Sequence, residues 1–221
     1  METDPKTPST QNRRPRRRWL MVLAGLVVVG GLSLWVWEKY LEDHIIPKRW
    51  GVVELNKIYR SGQLCYSLVH RTLEKHKIRV VIDLTKPEKG DPDRAAETQA
   101  IQALKIERAR YPLKGNGTGD IRNYARAVAR MVKAVEEGKP VLIHCAAGAQ
   151  RTGGVIAAYR MLVQKKPPSF AYKEMQEYDW DPEDNPALPQ YLNRHMAELA
   201  RLLVEMKVID RIPEPLPVLA P

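Results

Sequence analysis

Apolar and polar positions divide the chain into distinct regimes. Trp19 to Trp37 is a run of nineteen residues without a charge, WLMVLAGLVVVGGLSLWVW. At ~1.5 Å per residue a helix over this run is about 28 Å long, close to the roughly 30 Å hydrocarbon core of a bilayer. Trp19 at one end and Trp35, Trp37 and Tyr40 at the other match interfacial aromatic belts. The pattern predicts a transmembrane helix over 19–37. A buried helix of a water-soluble domain and a signal peptide are the competing readings. The run ends in Trp-Val-Trp-Glu-Lys-Tyr with no small-residue cleavage site, which favours an uncleaved anchor.

From about residue 51 short apolar runs alternate with stretches of helical period. Ile78 to Leu84 is β-branched and apolar, the pattern of a buried strand. Residues 92–102 read as a helix with Pro92 at its start and acidic residues early. A strand follows within 104–113. The loop Lys114 to Gly119 then leads to Asp120, placed to cap a helix over 121–137 that Gly138 stops. Pro140 to His144 predicts another strand. Helices are expected from Arg151 to about Gln164, over 168–178 and over 188–206. This alternation predicts an α/β fold with a central, mostly parallel sheet flanked by helices. The expected organisation is a disordered basic stub (1–18), the membrane helix (19–37), a juxtamembrane linker (38–50), one folded domain (51–210) and a Pro-rich tail (211–221).

Charge adds orientation. The net charge is +10, and residues 1–18 contribute six basic against two acidic side chains. Arginines before an apolar helix hold that end in the cytoplasm, which puts residues 38–221 on the far side, the periplasm in a Gram-negative cell. The remaining positive charge is scattered and forms no recognisable nucleic-acid surface. Two cysteines, Cys65 and Cys145, exclude a disulfide-stapled scaffold. The chain contains no C-x2-C pair, no G-x-G-x-x-G and no H-E-x-x-H, so neither a metal nor another cofactor is expected.

The segment Pro140 to Gly154, PVLIHCAAGAQRTGG, carries the chemistry. An apolar strand ends in His144-Cys145, small residues follow, and Arg151-Thr152 open an apolar helix. The spacing from cysteine to arginine lets the loop wrap one tetrahedral anion. Inward N–H groups and the helix N-terminus then stabilise both that anion and a thiolate. Arg151 offers two parallel donors to phosphoryl oxygens. Gly148 and the small residues Ala146, Ala147 and Ala149 let the backbone come close. A buried structural thiol is the plainer alternative for Cys145.

This loop resembles the H-C-x5-R-T-G signature of the cysteine-dependent protein tyrosine phosphatases, and is most similar to their compact dual-specificity-like branch of bacterial type. Ile58-Tyr59-Arg60-Ser61-Gly62-Gln63, the strand ending in Asp83-Leu84, Tyr159-Arg160 and Ala171 to Met175 extend the likeness over roughly residues 51–180. The resemblance implies that Cys145 attacks phosphorus to give a phosphocysteine. It implies that the amides of Ala146, Ala147, Gly148, Ala149, Gln150 and Arg151, with the Arg151 guanidinium, hold the phosphoryl oxygens. Thr152 matches the hydroxyl that bonds the thiolate, and His144 the residue that orders the loop from behind. Arg60 is a supporting residue that either lines the substrate mouth or forms a salt bridge. The family's acid loop has Gly117 where Asp is expected, so Asp120 is the candidate general acid, with a helix cap as its alternative role. Gln150 stands where some bacterial relatives carry Asp. Cys65 is a small buried hydrophobe or a redox partner of Cys145.

The expected function is a membrane-anchored phosphatase acting on protein phosphotyrosine, with possible dual specificity. Its expected partners are a phosphoprotein or a membrane-associated phosphorylated small molecule, and the bilayer through the N-terminal helix. A phospholipid or sugar phosphatase is one alternative, and a catalytically weak phosphate-binding module another.

Overall fold

A computed structural model describes residues 15–36, 45–88 and 90–221. The chain divides into two units, Met1–Glu42 and Asp43–Pro221. In the first, helix α1 spans Pro15–Val36. Among the described residues no helix is long and apolar enough to cross a membrane, which corrects the expected span at 19–37. Helix α1 spends its first turn on Pro15 and three arginines, outside the expected span. The membrane anchor, the bilayer as partner and the single-pass topology with an extracytoplasmic catalytic domain lose their basis with it. The stub up to residue 14, Trp37, Tyr40 and the first part of the linker lie outside the described residues.

The second unit carries the α/β fold. Its elements run β1 (Gly51–Glu54), β2 (Ile58–Ser61), α2 (Val69–Lys75), β3 (Val80–Asp83), α3 (Pro92–Ala103), β4 (Glu107–Arg110), α4 (Ile121–Glu136), β5 (Val141–His144), α5 (Gln150–Ala158), α6 (Pro168–Glu177) and α7 (Ala187–Glu205). A π-helical turn, Tyr159–Val163, continues α5. The sheet order is β1-β2-β5-β3-β4, with β1 antiparallel to β2 and every other pairing parallel.

Strand alternation sorts the core into two layers. Val80 and Ile82 of β3, with Val141 and Ile143 of β5, face α4, α5 and α7 and pack in one cluster with Tyr124, Val128, Val155 and Leu192. Val81 and Leu142 face the other way, against Leu73 of α2 and Ile101 of α3. Strands buried on both faces read as continuous apolar runs, which is why the strand signals near 80 and 141 are strong.

The helix starts follow local chemistry. Asp91 caps α3, accepting from the amides of Asp93 (2.9 Å) and Arg94 (3.4 Å), with Pro92 in the first turn. Asp120 caps α4 through the Arg122 amide at 2.9 Å. Gly138, at φ 67, follows α4 in the left-handed conformation that ends helices cheaply.

Parallel register brings four residues into one row at the carboxyl edge of the sheet. Ser61 pairs with His144, His144 with Asp83, and Asp83 with Arg110. Loops leaving this edge build the site, as expected for an open parallel sheet.

Candidate active site

Cys145 follows the last residue of the central strand β5 and is 1% exposed, at the floor of the loop that enters α5. The loop is closed by a tight turn at Gly148, whose φ is 84. A Cβ there would lie 2.5 Å from the Gly62 nitrogen and 2.8 Å from the Ser61 carbonyl carbon, so only glycine fits. The turn aims the Gly148 N–H at the Cys145 sulfur, 3.1 Å away.

Three successive loop carbonyls are taken by donors outside the loop. The Gln63 amide donates to Ala146 O (3.0 Å), Arg49 Nη1 to Ala147 O (2.8 Å) and Arg60 Nη2 to Gly148 O (2.9 Å). Turning carbonyls outward leaves the concave side to amides, and the first-turn amides of α5 have no partner within the helix. Arg151 adds a guanidinium whose Nε is buried without a protein partner. Thr152 is wholly buried, and its hydroxyl makes no geometrically complete hydrogen bond. It nevertheless lies near enough to the sulfur to stabilise its charge. Burial pushes the Cys145 thiol up. The Thr152 hydroxyl, the Arg151 charge and the Thr152 and Gly148 amides outweigh that and bring it below the ordinary thiol value.

His144 lies behind Cys145, 1% exposed, with Nε2 3.1 Å from Glu97 Oε1. The approach is off-axis for a hydrogen bond and acts as an ion pair. Burial alone would discharge the imidazole. Glu97 and Asp83 reverse this and hold it up at about 9, so His144 is an imidazolium at neutral pH. Each carboxylate is clamped in turn, Asp83 by Arg110 Nε (2.8 Å) and the Thr85 hydroxyl (2.6 Å), Glu97 by Arg108 Nη2 (2.5 Å). Among the described residues, Asp83, Glu97 and His144 bring ligand-type atoms within 4.8 Å of one another. With arginines on both carboxylates and a proton on the imidazole, that trio holds a proton in the place where a metal would sit.

Asp120 belongs to the neighbouring loop. Gly117 in that loop packs against the Gln150 carbonyl, a Cβ there falling 3.3 Å from it, and Tyr124 and Tyr191 hydroxyls hold the Gly117 and Gly119 carbonyls at 2.5 and 2.8 Å. The Asp120 carboxylate itself faces Arg122, accepting from its amide and from Nε at 3.1 Å. These bonds, the amide first, hold it below the usual carboxylate value.

A family model described as the dual specificity phosphatase catalytic domain matches residues 61–196. The chain belongs to that family. Within it, the chain is 32% identical over 114 residues to the dual specificity protein phosphatase TpbA of Pseudomonas aeruginosa. That stretch covers 51% of this chain and 47% of the relative, so it spans about half the relative's length. A crystal structure of TpbA superposes with a TM-score of 0.57 at 25% identity, covering 72% of this chain and 91% of that one. The core catalytic domain of the PP-IP phosphatase SIW14 from S. cerevisiae superposes with a TM-score of 0.57 at 20% identity, covering 78% and 98%, and shares the fold.

In this family member the structure brings Cys145, Gly148, Arg151, Thr152 and His144 together. It places Arg60 beneath the loop, fully buried, with no salt bridge to a described residue. Cys65 and Cys145 are both free thiols. Sequence reasoning missed Glu97 and Arg49, and reads Tyr178 only as part of a surface loop. Glu97 carried a signal, since it shares the buried stripe of α3 with Ala100 and Ile101, where a carboxylate needs a partner. Arg49 and Tyr178 carried none, because their contacts cross about a hundred residues of sequence.

Proposed function

We propose that the chain is a cysteine-dependent phosphatase that hydrolyses phosphomonoesters, with protein phosphotyrosine as its substrate. The observation that carries the reading is a thiol lowered below its ordinary value at the floor of a loop in which three successive carbonyls are held by outside donors. The Cys145 thiolate forms the S–P bond as the bond to the leaving oxygen breaks. Loop amides and Arg151 hold the three equatorial oxygens while charge shifts onto the leaving group. Water then attacks the phosphocysteine, the S–P bond breaks, and phosphate leaves as the thiolate returns, helped by the Thr152 hydroxyl.

We assign proton delivery to Asp120, the carboxylate of the loop packed on Gln150. The bonds from Arg122, its amide first, hold that carboxylate below its usual value in the resting fold, so its protonated form is scarce and poor leaving groups are served badly. Aryl phosphates, with their more acidic leaving oxygens, are favoured over serine and threonine phosphates. Phosphotyrosine is also the ligand in a solved TpbA complex at 25% identity, and Ala146, Ala147, Ala149 and Gln150 give the loop no lysine for a polyphosphate.

The test is release of phosphate by the purified full chain from phosphotyrosine, phosphoserine and phosphothreonine peptides and from sugar phosphates. Phosphotyrosine should lead, and Cys145→Ser should abolish release while retaining phosphate binding. Undiminished release by Cys145→Ser would refute covalent catalysis.

A further inference from the structure

Arg60 is a charge the fold has placed at high cost. It stands on β2 with no exposed surface. One guanidinium nitrogen, Nη2, bonds the Gly148 carbonyl at 2.9 Å, while Nε and Nη1 are buried with no acceptor. Its flat face lies on the Tyr178 ring, 3.7 Å from centroid to guanidinium carbon. Glu174 attracts it electrostatically but is already committed to Arg160 through two bonds of 2.8 and 2.7 Å. Burial draws the Arg60 pKa down to about 10, with Glu174, Tyr178 and Cys145 opposing that fall, so the group stays charged at neutral pH. A buried cation without a bound carboxylate is destabilising. Something else must balance it.

The anion that fits lies on the other side of the same loop. Arg60 holds the carbonyl of Gly148, and the amide of Gly148 points at the Cys145 sulfur. We propose that Arg60 is a positioning residue whose buried charge is balanced by the anion in the Cys145–Arg151 loop, so that it strengthens thiolate and bound phosphate alike from beneath. In the empty site the charge is only partly offset. A phosphate dianion completes the balance, and part of its binding energy comes from that relief. Tyr178 is the neutral platform that keeps the guanidinium flat against the loop, and Arg160 keeps Glu174 from neutralising it. The other charged groups facing the loop are Arg151 at its rim, Arg49 on the Ala147 carbonyl, and the His144 imidazolium, between Asp83 and Glu97, behind it. The proposal rests on the phosphatase reading of the same loop.

The experiment uses the full chain as wild type, Arg60→Met and Arg60→Lys, with inorganic phosphate and orthovanadate as probes. Melting is followed with and without probe, and the Cys145 thiolate is titrated by ultraviolet absorbance. Removing an unbalanced charge should leave the empty Arg60→Met protein melting no lower than wild type. Its vanadate affinity should fall about tenfold, the effect of one pH unit of interaction, and its thiolate titration should move up. Arg60→Lys should recover part of both. A Met variant that binds vanadate as wild type does would overturn the proposal. So would low melting in both variants with the probe-induced rise unchanged, since Arg60 would then be a strut. A wild type that binds neither probe would instead bring down the phosphatase reading, and this one with it.

Discussion

Glu97→Gln tests whether the site is held from behind by a proton. The substitution keeps the shape of the side chain and removes the charge nearest His144, 3.1 Å from Nε2. The His144 imidazole is held at about 9 against an ordinary value of 6.5. At ~1.36 kcal/mol per pH unit, that rise corresponds to about 3 kcal/mol of stability, shared between Glu97 and Asp83. Because the folded value lies above the unfolded one, this contribution is complete below pH 6.5 and is lost as the pH climbs through about 9. Glu97→Gln should therefore cost up to about 3 kcal/mol near pH 6, and the difference from wild type should shrink through about pH 9. Cys145 runs the other way, its lowered thiol adding stability at high pH that is lost as the pH falls through its folded value. That contribution is common to both chains and cancels to first order in the difference. Urea unfolding of the full chain near pH 6, 7.5 and 10 measures it. An equal loss at all three values would refute the ion-pair account and leave a simple packing defect.

Gly148→Ala should abolish turnover and lower stability by about 2 kcal/mol or more, because its Cβ meets backbone atoms of Ser61 and Gly62 that cannot step aside; steady-state kinetics and melting check both, and near-normal kcat would show the loop to be more pliant than its contacts indicate. Asp120→Asn keeps an equally good helix cap, so stability should change by only a few tenths of a kcal/mol. Its kcat should fall on alkyl phosphates more than on aryl phosphates, and an unchanged ratio would leave Asp120 as a cap alone.

The elements of the folded unit were legible because local signals agreed with tertiary packing. Pro92, Asp120 and Gly138 mark helix ends, and doubly buried strands show as unbroken apolar runs. The strand expected over 104–113 contracts to Glu107–Arg110 because its side chains are mostly half-exposed and the run is not apolar. The Cys145–Arg151 loop stands out in the sequence because cysteine, glycine and arginine are close neighbours there. Helix α1 shows where this kind of reading fails. An uncharged run is a necessary feature of a membrane span, yet the described residues hold no helix that meets the full requirement of length and apolarity.

What the sequence concealed is the support of the loop, and the reason is geometric. A loop that binds phosphate with its amides must turn its carbonyls away, and those carbonyls need donors that the loop cannot supply. Here they come from Gln63, Arg49 and Arg60, between 83 and 98 residues earlier in the chain. The charge behind Cys145 is assembled in the same way, with His144 on β5, Asp83 on the adjacent strand and Glu97 on α3. No spacing rule finds such partners, because a parallel sheet makes neighbours of residues that its crossover helices hold far apart in sequence. The groups that lower the Cys145 thiol are thus written locally, in Gly148, Arg151 and Thr152. The charged groups that stand behind it are written in the register of the sheet.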